Sequence, residues 1–283
     1  MTFQRVIVAF DGSERSADAL ALALRLLEPA GTLTLACVVS GGRWHVSAHV
    51  HRADAPVPDE LRGMFAAARA TIPAGIRVRE RAPVAASPAR GLTELAETEA
   101  GDLIVIGSSR HGGDGRIRLE RTAGRLLQGA PCAVAIAPAG LRETAGFRHV
   151  GVAYDDSPEA RAALAAAYDI AARCGSAVSL FSVVELRETA LDEAADRAPA
   201  GVNPRTVLLR GTPVAAVIRN ACDGVVDLLV TGSRGYGPLQ RALAGSVSEA
   251  LAEGAAQPVL VVPRPDNPAA AEPVPILETT ETR

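Results

Sequence analysis

The chain has 283 residues, enough for two domains of ordinary size, each able to close its own core. Almost half of the residues are hydrophobic, yet no apolar run approaches the ~20 residues needed to cross a bilayer. A net charge of −3 argues against a nucleic-acid binder, and because every basic residue apart from histidine is arginine, P-loop-lysine and Schiff-base chemistry are excluded.

The N-terminus enters an alternating apolar segment at once, without a charged leader and cleavage site, which predicts a cytoplasmic chain. Strands are predicted near 4–10, 32–39, 76–80, 103–107 and 133–137, with helices near 15–28, 57–71, 88–100 and 119–129. The pattern then starts again. Strands are predicted near 148–154, 177–184, 205–209, 227–231 and 258–262, and helices near 158–174, 212–222 and 239–253. Cys37, Cys132, Cys174 and Cys222 lie far apart without a C-x-x-C pair, which suits reduced thiols better than a disulfide frame or a zinc site.

The second set of elements echoes the first in sequence. Val6-Ile-Val-Ala-Phe-Asp-Gly-Ser13 matches Val150-Gly-Val-Ala-Tyr-Asp-Asp-Ser157, and Gly31-Thr-Leu-Thr-Leu35 matches Gly175-Ser-Ala-Val-Ser179, both at an offset of 144. Asp102-Leu-Ile-Val-Ile-Gly-Ser108 matches Asp227-Leu-Leu-Val-Thr-Gly-Ser233, and Ala133-Val-Ala-Ile-Ala-Pro138 matches Pro258-Val-Leu-Val-Val-Pro263, both at an offset of 125. Two registers kept in the same order mark a duplication. Strands that are apolar nearly throughout are buried on both faces. The expected fold is therefore α/β, two tandem, doubly wound, five-stranded parallel sheets flanked by helices. The expected domains are 1–141 and 147–266, with residues 139–146 as linker and 267–283 as a disordered tail.

Ligands of such sheets bind beyond the strand C-termini at the switch point, so the loops after the first and fourth strands are where a site is expected. After its fourth strand the second copy reads Gly232-Ser233-Arg234-Gly235, then nine residues, then Gly245-Ser246-Val247-Ser248. Glycines allow backbone to approach a phosphate closely, and successive backbone N–H groups form an anion cradle that needs no lysine. Taken alone, these glycines also suit a tight strand-to-helix turn. Their paired spacing favours the phosphate reading. Asp155, taken alone, reads as a companion of a helix N-cap, and Asp156 with Ser157 as the cap of a helix starting at Pro158.

This second copy resembles the universal stress protein family, in its ATP-binding type with the signature G-x2-G-x9-G-[S/T]. Gly232, Gly235, Gly245 and Ser246 fill the fixed positions, and the resemblance covers residues 3–138 and 147–263. It implies a pocket for an adenine nucleotide, ATP with or without Mg2+. The pocket would be built from Ala153, Asp155, Val183, Gly232, Ser233, Arg234, Gly235, Gly245, Ser246, Val247 and Ser248. Asp155 would accept ribose hydroxyls, and Val183 would wall the base. The resemblance also implies dimerisation through the last strand, here satisfied inside one chain as a pseudo-dimer, with further homodimerisation left open.

The first copy departs from the signature. Gly107 remains, but Arg110 replaces the second glycine and Glu120-Arg121 replaces the Gly-Ser pair, so a structural role is expected for this half. Asp11 and Val39 align with Asp155 and Val183, and Arg116, Arg118 and Arg121, with Gly112-Gly113, offer an alternative way to grip phosphates. His45, His49 and His51 read as a solvated loop rather than a metal site, and His111 as a surface turn. Residues 188–196 read as an acidic helix or lid. No catalytic set or metal cage emerges. A nucleotide-dependent sensor in the stress response is therefore preferred over a slow ATPase or an interaction scaffold.

Overall fold

The computed structural model describes residues 3–40, 57–109, 115–183, 188–233 and 247–263. The first half contains β1 (Phe3–Ala9), α1 (Glu14–Leu26), β2 (Leu27–Ala36), β3 (Val39–Ser40), α2 (Asp59–Ala70), β4 (Arg77–Arg81) and β5 (Val84–Ala85). It continues through α3 (Pro88–Thr98), β6 (Leu103–Gly107), α4 (Arg121–Gly129) and β7 (Ala133–Ala137). The second half contains β8 (His149–Ala153), α5 (Pro158–Cys174), β9 (Ala177–Ser182), α6 (Glu188–Asp196) and β10 (Pro204–Leu208). It closes with α7 (Val214–Cys222), β11 (Leu228–Gly232), α8 (Val247–Ala252) and β12 (Val259–Val262). The expected helix over 239–253 is described only from Val247 onward, and the segments 41–56, 110–114 and 264–283 lie outside the described residues.

Helix starts follow side-chain chemistry. Ser13, Ser87 and Ser157 sit in extended backbone and accept the N–H groups of Ser16, Arg90 and Ala160, and Pro88 and Pro158 occupy the first turns they pre-set. The helix expected over 15–28 stops at Leu26, because Pro29 disfavours helical backbone at Glu28; Leu27 already pairs with Phe3. At the other end of α5, Gly175 takes the left-handed conformation that closes a helix.

Each half carries a parallel sheet with the first strand central, and the two sheets join into one. The strand order is β10-β9-β8-β11-β12-β7-β6-β1-β2-β4. All neighbours are parallel except β7 and β12, which pair antiparallel with Leu260 opposite Ala135. Alternate residues of these two strands feed the cores on opposite faces of the sheet. Ala133, Ala135, Ala137, Leu260 and Val262 point into one core, and Val134, Ile136, Val259 and Val261 into the other. Joining the halves thus continues both cores without a gap, and it removes two apolar sheet edges from solvent.

The expected linker is docked rather than loose. Leu141, in a short 3-10 turn (Leu141–Glu143), is buried, and the N–H groups of Gly140 and Arg142 donate to the buried Asp18 carboxylate at 2.9 and 3.0 Å. The Arg25 guanidinium donates to the carbonyls of Leu141 and Thr144. Asp18 needs these partners, since a buried carboxylate without them is costly.

Candidate functional site

In both halves the first strand lies between the second and the fourth, so the chain reverses its winding beside it, where open α/β sheets form a crevice. In the second half, Tyr154 N–H donates to the Phe181 carbonyl at 2.9 Å, carrying the β8–β9 ladder one step past the strand. Asp155 then accepts the Ser157 N–H at 3.1 Å and the Ser157 hydroxyl at 2.5 Å, both on Oδ1. This fixes an exposed carboxylate at the strand C-terminus, next to the helix cap.

Asp156 does not share in capping α5. Its backbone is left-handed, with φ of 60°, and its Oδ1 accepts the Tyr154 hydroxyl at 2.8 Å and Arg161 Nε at 3.0 Å. Gly12 occupies the same place in the first half with φ of 78°, so this turn demands left-handed backbone and the second half meets it with aspartate. Burial pushes the Asp156 carboxyl up, but hydrogen bonds from Tyr154 and Arg161 and the charges of Arg161 and Arg197 outweigh it. The net effect holds Asp156 below the usual carboxylate range.

Of the eleven expected residues, Ala153, Asp155, Val183, Gly232, Val247 and Ser248 line one cavity of about 100 Å³. Ser233 does not line it: its N–H is spent on the Val262 carbonyl at 2.8 Å. Arg234, Gly235, Gly245 and Ser246 lie outside the described residues. Gly232 answers to packing first. A Cβ there would sit 2.5 Å from the Glu159 carbonyl carbon and 2.8 Å from the Ala160 nitrogen, so α5 lies against the strand end only because position 232 is bare. The sequence reading missed Val214 and Ile218, which add an apolar wall from α7. Their i, i+4 spacing on the helix that follows the third strand was the available signal.

The first half holds a cavity of about 240 Å³, lined by Ala9, Asp11, Val38 and Gly107 among others. Asp11 accepts the Ser13 N–H at 3.0 Å and hydroxyl at 2.5 Å, the same arrangement as Asp155. Val38, not Val39, stands in the place of Val183. Val6 pairs with Leu33, whereas its repeat mate Val150 pairs with Val178, so the second strands correspond one residue further apart than the first strands. The second half therefore carries one more residue between its first two strands than the first half does, although β2 itself also bulges, with Phe3 paired to Leu27 but Arg5 already to Thr32. Val39 instead pairs with Val84 in a small separate ladder.

In the first half the Ser109 hydroxyl donates to Glu120 at 2.5 Å, and two of the three arginines expected to grip phosphates, Arg116 and Arg118, are engaged with the second half. Arg116 donates to Asp223 at 2.5 Å and to the Gly254 carbonyl at 3.0 Å, and Arg118 to Glu253 at 3.1 Å. Arg121 opens α4, while Arg110, His111, Gly112 and Gly113 lie outside the described residues, as do His45, His49 and His51. Among the described residues, no group of three or more His, Cys, Asp or Glu is placed to hold a metal ion, and no helix is long and apolar enough to cross a membrane.

A duplicated α/β sheet with a crevice in each half defines a tandem of two related domains. Residues 2–138, 146–199 and 185–263 match the universal stress protein family, and the chain belongs to it. It is 33% identical over 79 residues to the universal stress protein YxiE of Bacillus subtilis, and 40% over 65 residues to the universal stress protein MJ0531 of Methanocaldococcus jannaschii. These alignments span 28% and 23% of this chain, and about half (51%) and 38% of the two relatives. Over nearly its whole length it is similar in fold to the crystal structure of a universal stress protein from Archaeoglobus fulgidus. That likeness has a TM-score of 0.66 at 21% identity and covers 94% of this chain and 98% of the other.

Proposed function

We propose that the second half binds one molecule of ATP and that its occupancy makes the protein a nucleotide-dependent regulator. The observation that carries this reading is the meeting of Ala153, Asp155, Val183 and Ser248 at one cavity beside the switch of the sheet. In this reading the base lies against Val183 and the apolar wall of Val214 and Ile218. Asp155 accepts a ribose hydroxyl. The phosphates run toward residues 234–246, where Gly235 and Gly245 allow close backbone approach and Ser246 adds a hydroxyl donor. Mg2+, where it accompanies ATP, is held by phosphate oxygens and water rather than by a protein cage. No side chain near the cavity is nominated as a catalyst. The pairing of β7 with β12 is read as an internal dimer contact, so one chain carries both partners.

Calorimetric titration of the purified protein with ATP tests the reading, supported by mass spectrometry of small molecules released on denaturation. One ATP per chain is expected. No binding, or two equivalent ATP sites per chain, overturns it.

A further inference from the structure

We propose that the cavity where the linker meets the second half is a ligand site of its own, and that it takes a small zwitterion carrying an amide, the class of free glutamine and asparagine. The cavity measures about 350 Å³ and lies between the end of β7 and the start of β12. Linker residues between 138 and 145 form one wall, and the turns that lead into β11 and β12 form the other. The second-half crevice lies at the opposite ends of these two strands, so the two cavities are distinct. Small-molecule sites favour such boundaries between domains, and the volume is of the size they use.

Gln257 points to a ligand. It lines this cavity at 5% exposure, and its carboxamide is buried with neither oxygen nor nitrogen hydrogen-bonded in the protein. A buried amide that lacks both partners costs stability, so it calls for a polar group beside it. The fold itself does not ask for an amide here. At the repeat offset of 125 its mate is Cys132, a small and mostly apolar side chain that is also buried. An amide is both donor and acceptor, and its complement is another primary amide, which answers N–H with C=O and C=O with N–H.

The rest of the lining carries both signs of charge. Arg25 and Arg148 supply two guanidinium groups, and Asp223 and Asp227 two carboxylates. The Arg148 guanidinium makes no hydrogen bond or ion pair among the described residues. Asp227 accepts the N–H groups of Arg148 and His149 on Oδ2, at 2.9 Å each, which leaves Oδ1 open. Asp223 accepts Arg116 on Oδ2 at 2.5 Å. Arg25 spends three of the five N–H groups of a guanidinium on Leu141 and Thr144. A simple anion is drawn by one pair and repelled by the other, and so is a simple cation. A molecule with both charges gains from each pair. An α-amino acid with an amide side chain combines these ends.

The test titrates the full-length protein by calorimetry with L-glutamine and with L-asparagine, and follows the thermal unfolding midpoint at the same concentrations. At least one of the two is expected to bind once per chain and to raise the midpoint. Glutamate, whose side chain offers no N–H, and propionamide, which lacks the charged end, are expected to bind about tenfold more weakly or worse. Gln257→Met keeps the length of the side chain and removes both polar atoms. It is expected to weaken the amino acid about tenfold or more, while its midpoint without ligand equals or exceeds the parent's, because an unsatisfied amide has gone. Arg148→Ala is expected to weaken binding about tenfold at an unchanged midpoint. The proposal is overturned if neither amino acid binds at millimolar concentration, if glutamate binds as tightly, or if Gln257→Met binds like the parent. A Gln257→Met midpoint well below the parent's overturns it too, since the amide would then serve the fold. ATP titration reads the second-half crevice separately, so this inference and the nucleotide reading stand or fall independently.

Discussion

The Leu119 N–H donates to the Glu253 carboxylate at 2.7 Å, across the boundary between the two halves. The other oxygen of the same carboxylate accepts Arg118 at 3.1 Å. Beside it, Ile117 and the turn at Gly254–Ala255 exchange two backbone hydrogen bonds of 2.7 and 2.8 Å. Arg118 lines the first cavity, and Glu253 follows α8, whose first residues line the second. The seam is therefore a strand pair with a polar clasp beside it, and the clasp sits between the two sites.

Glu253→Ala removes an acceptor that satisfies a half-buried backbone donor. The expected cost is about 1–2 kcal/mol, since the bond is charge-assisted but its surroundings are partly solvated. Urea unfolding should show a lower midpoint with an unchanged slope, and Glu253→Gln should recover part of the loss. A midpoint equal to that of the parent would mean that the clasp adds nothing to the strand pairing.

Much of this architecture is legible in the residues themselves. Strands such as Leu103–Gly107 and Ala133–Ala137 are apolar throughout because both faces are covered, and a serine followed by proline marks the start of α3 and α5. What sequence could not reveal depends on pairing. The place of Val38 is set by a one-residue difference in register between the two halves, and such a slip is invisible when two repeats are aligned as strings. The docking of residues 139–146 depends on Asp18, a charged residue on a helix that reads as solvent-facing until its partners are seen. Gly232 lines the cavity, and the backbone of α5 also requires its bareness, a contact that no string of residues displays.

That requirement makes Gly232→Ala a packing test. The new methyl meets backbone atoms, which cannot swing aside, so α5 must move or the strand end must bend. A loss of about 1–3 kcal/mol is expected, measured by thermal or urea unfolding. Gly107→Ala should cost a similar amount in the first half, because its Cβ would collide with the Arg15 carbonyl. If both variants unfold like the parent, the close approach of helix to strand is softer than the geometry indicates.

Asp156 combines left-handed backbone with two side-chain bonds, and substitution separates them. Asp156→Gly keeps the backbone preference and loses the bonds, whereas Asp156→Ala loses both and should be about 1 kcal/mol less stable than the glycine variant. The carboxyl is held below the usual range in the folded protein, so its contribution is present above its unfolded pKa of about 4. That contribution is lost as pH falls through the folded value. Asp156→Asn should therefore flatten the decline in unfolding free energy over the acid limb, from about pH 5 downward. An acid limb identical to the parent's would show that Asp156 is not held in its charged form.

The nucleotide reading stands or falls on four residues. Gly235→Ala and Gly245→Ala should abolish ATP binding while circular dichroism and unfolding midpoints stay near the parent's, because a Cβ intrudes where backbone must approach phosphate oxygens. Asp155→Ala should weaken ATP by about 1.5–3 kcal/mol, roughly ten- to a hundredfold, through the loss of charge-assisted bonds to ribose. Part of that effect reaches the site indirectly, since Asp155 also holds Ser157. Asp155→Asn, which keeps an acceptor for Ser157, separates the two contributions. Asp11→Ala makes the same change in the first half, where Arg110 and Glu120 stand in place of two signature glycines, and should leave ATP affinity untouched. Glycine variants that bind ATP like the parent would reduce Gly235 and Gly245 to turn formers. An Asp11→Ala variant that loses ATP while Asp155→Ala keeps it would move the nucleotide to the other half of the molecule.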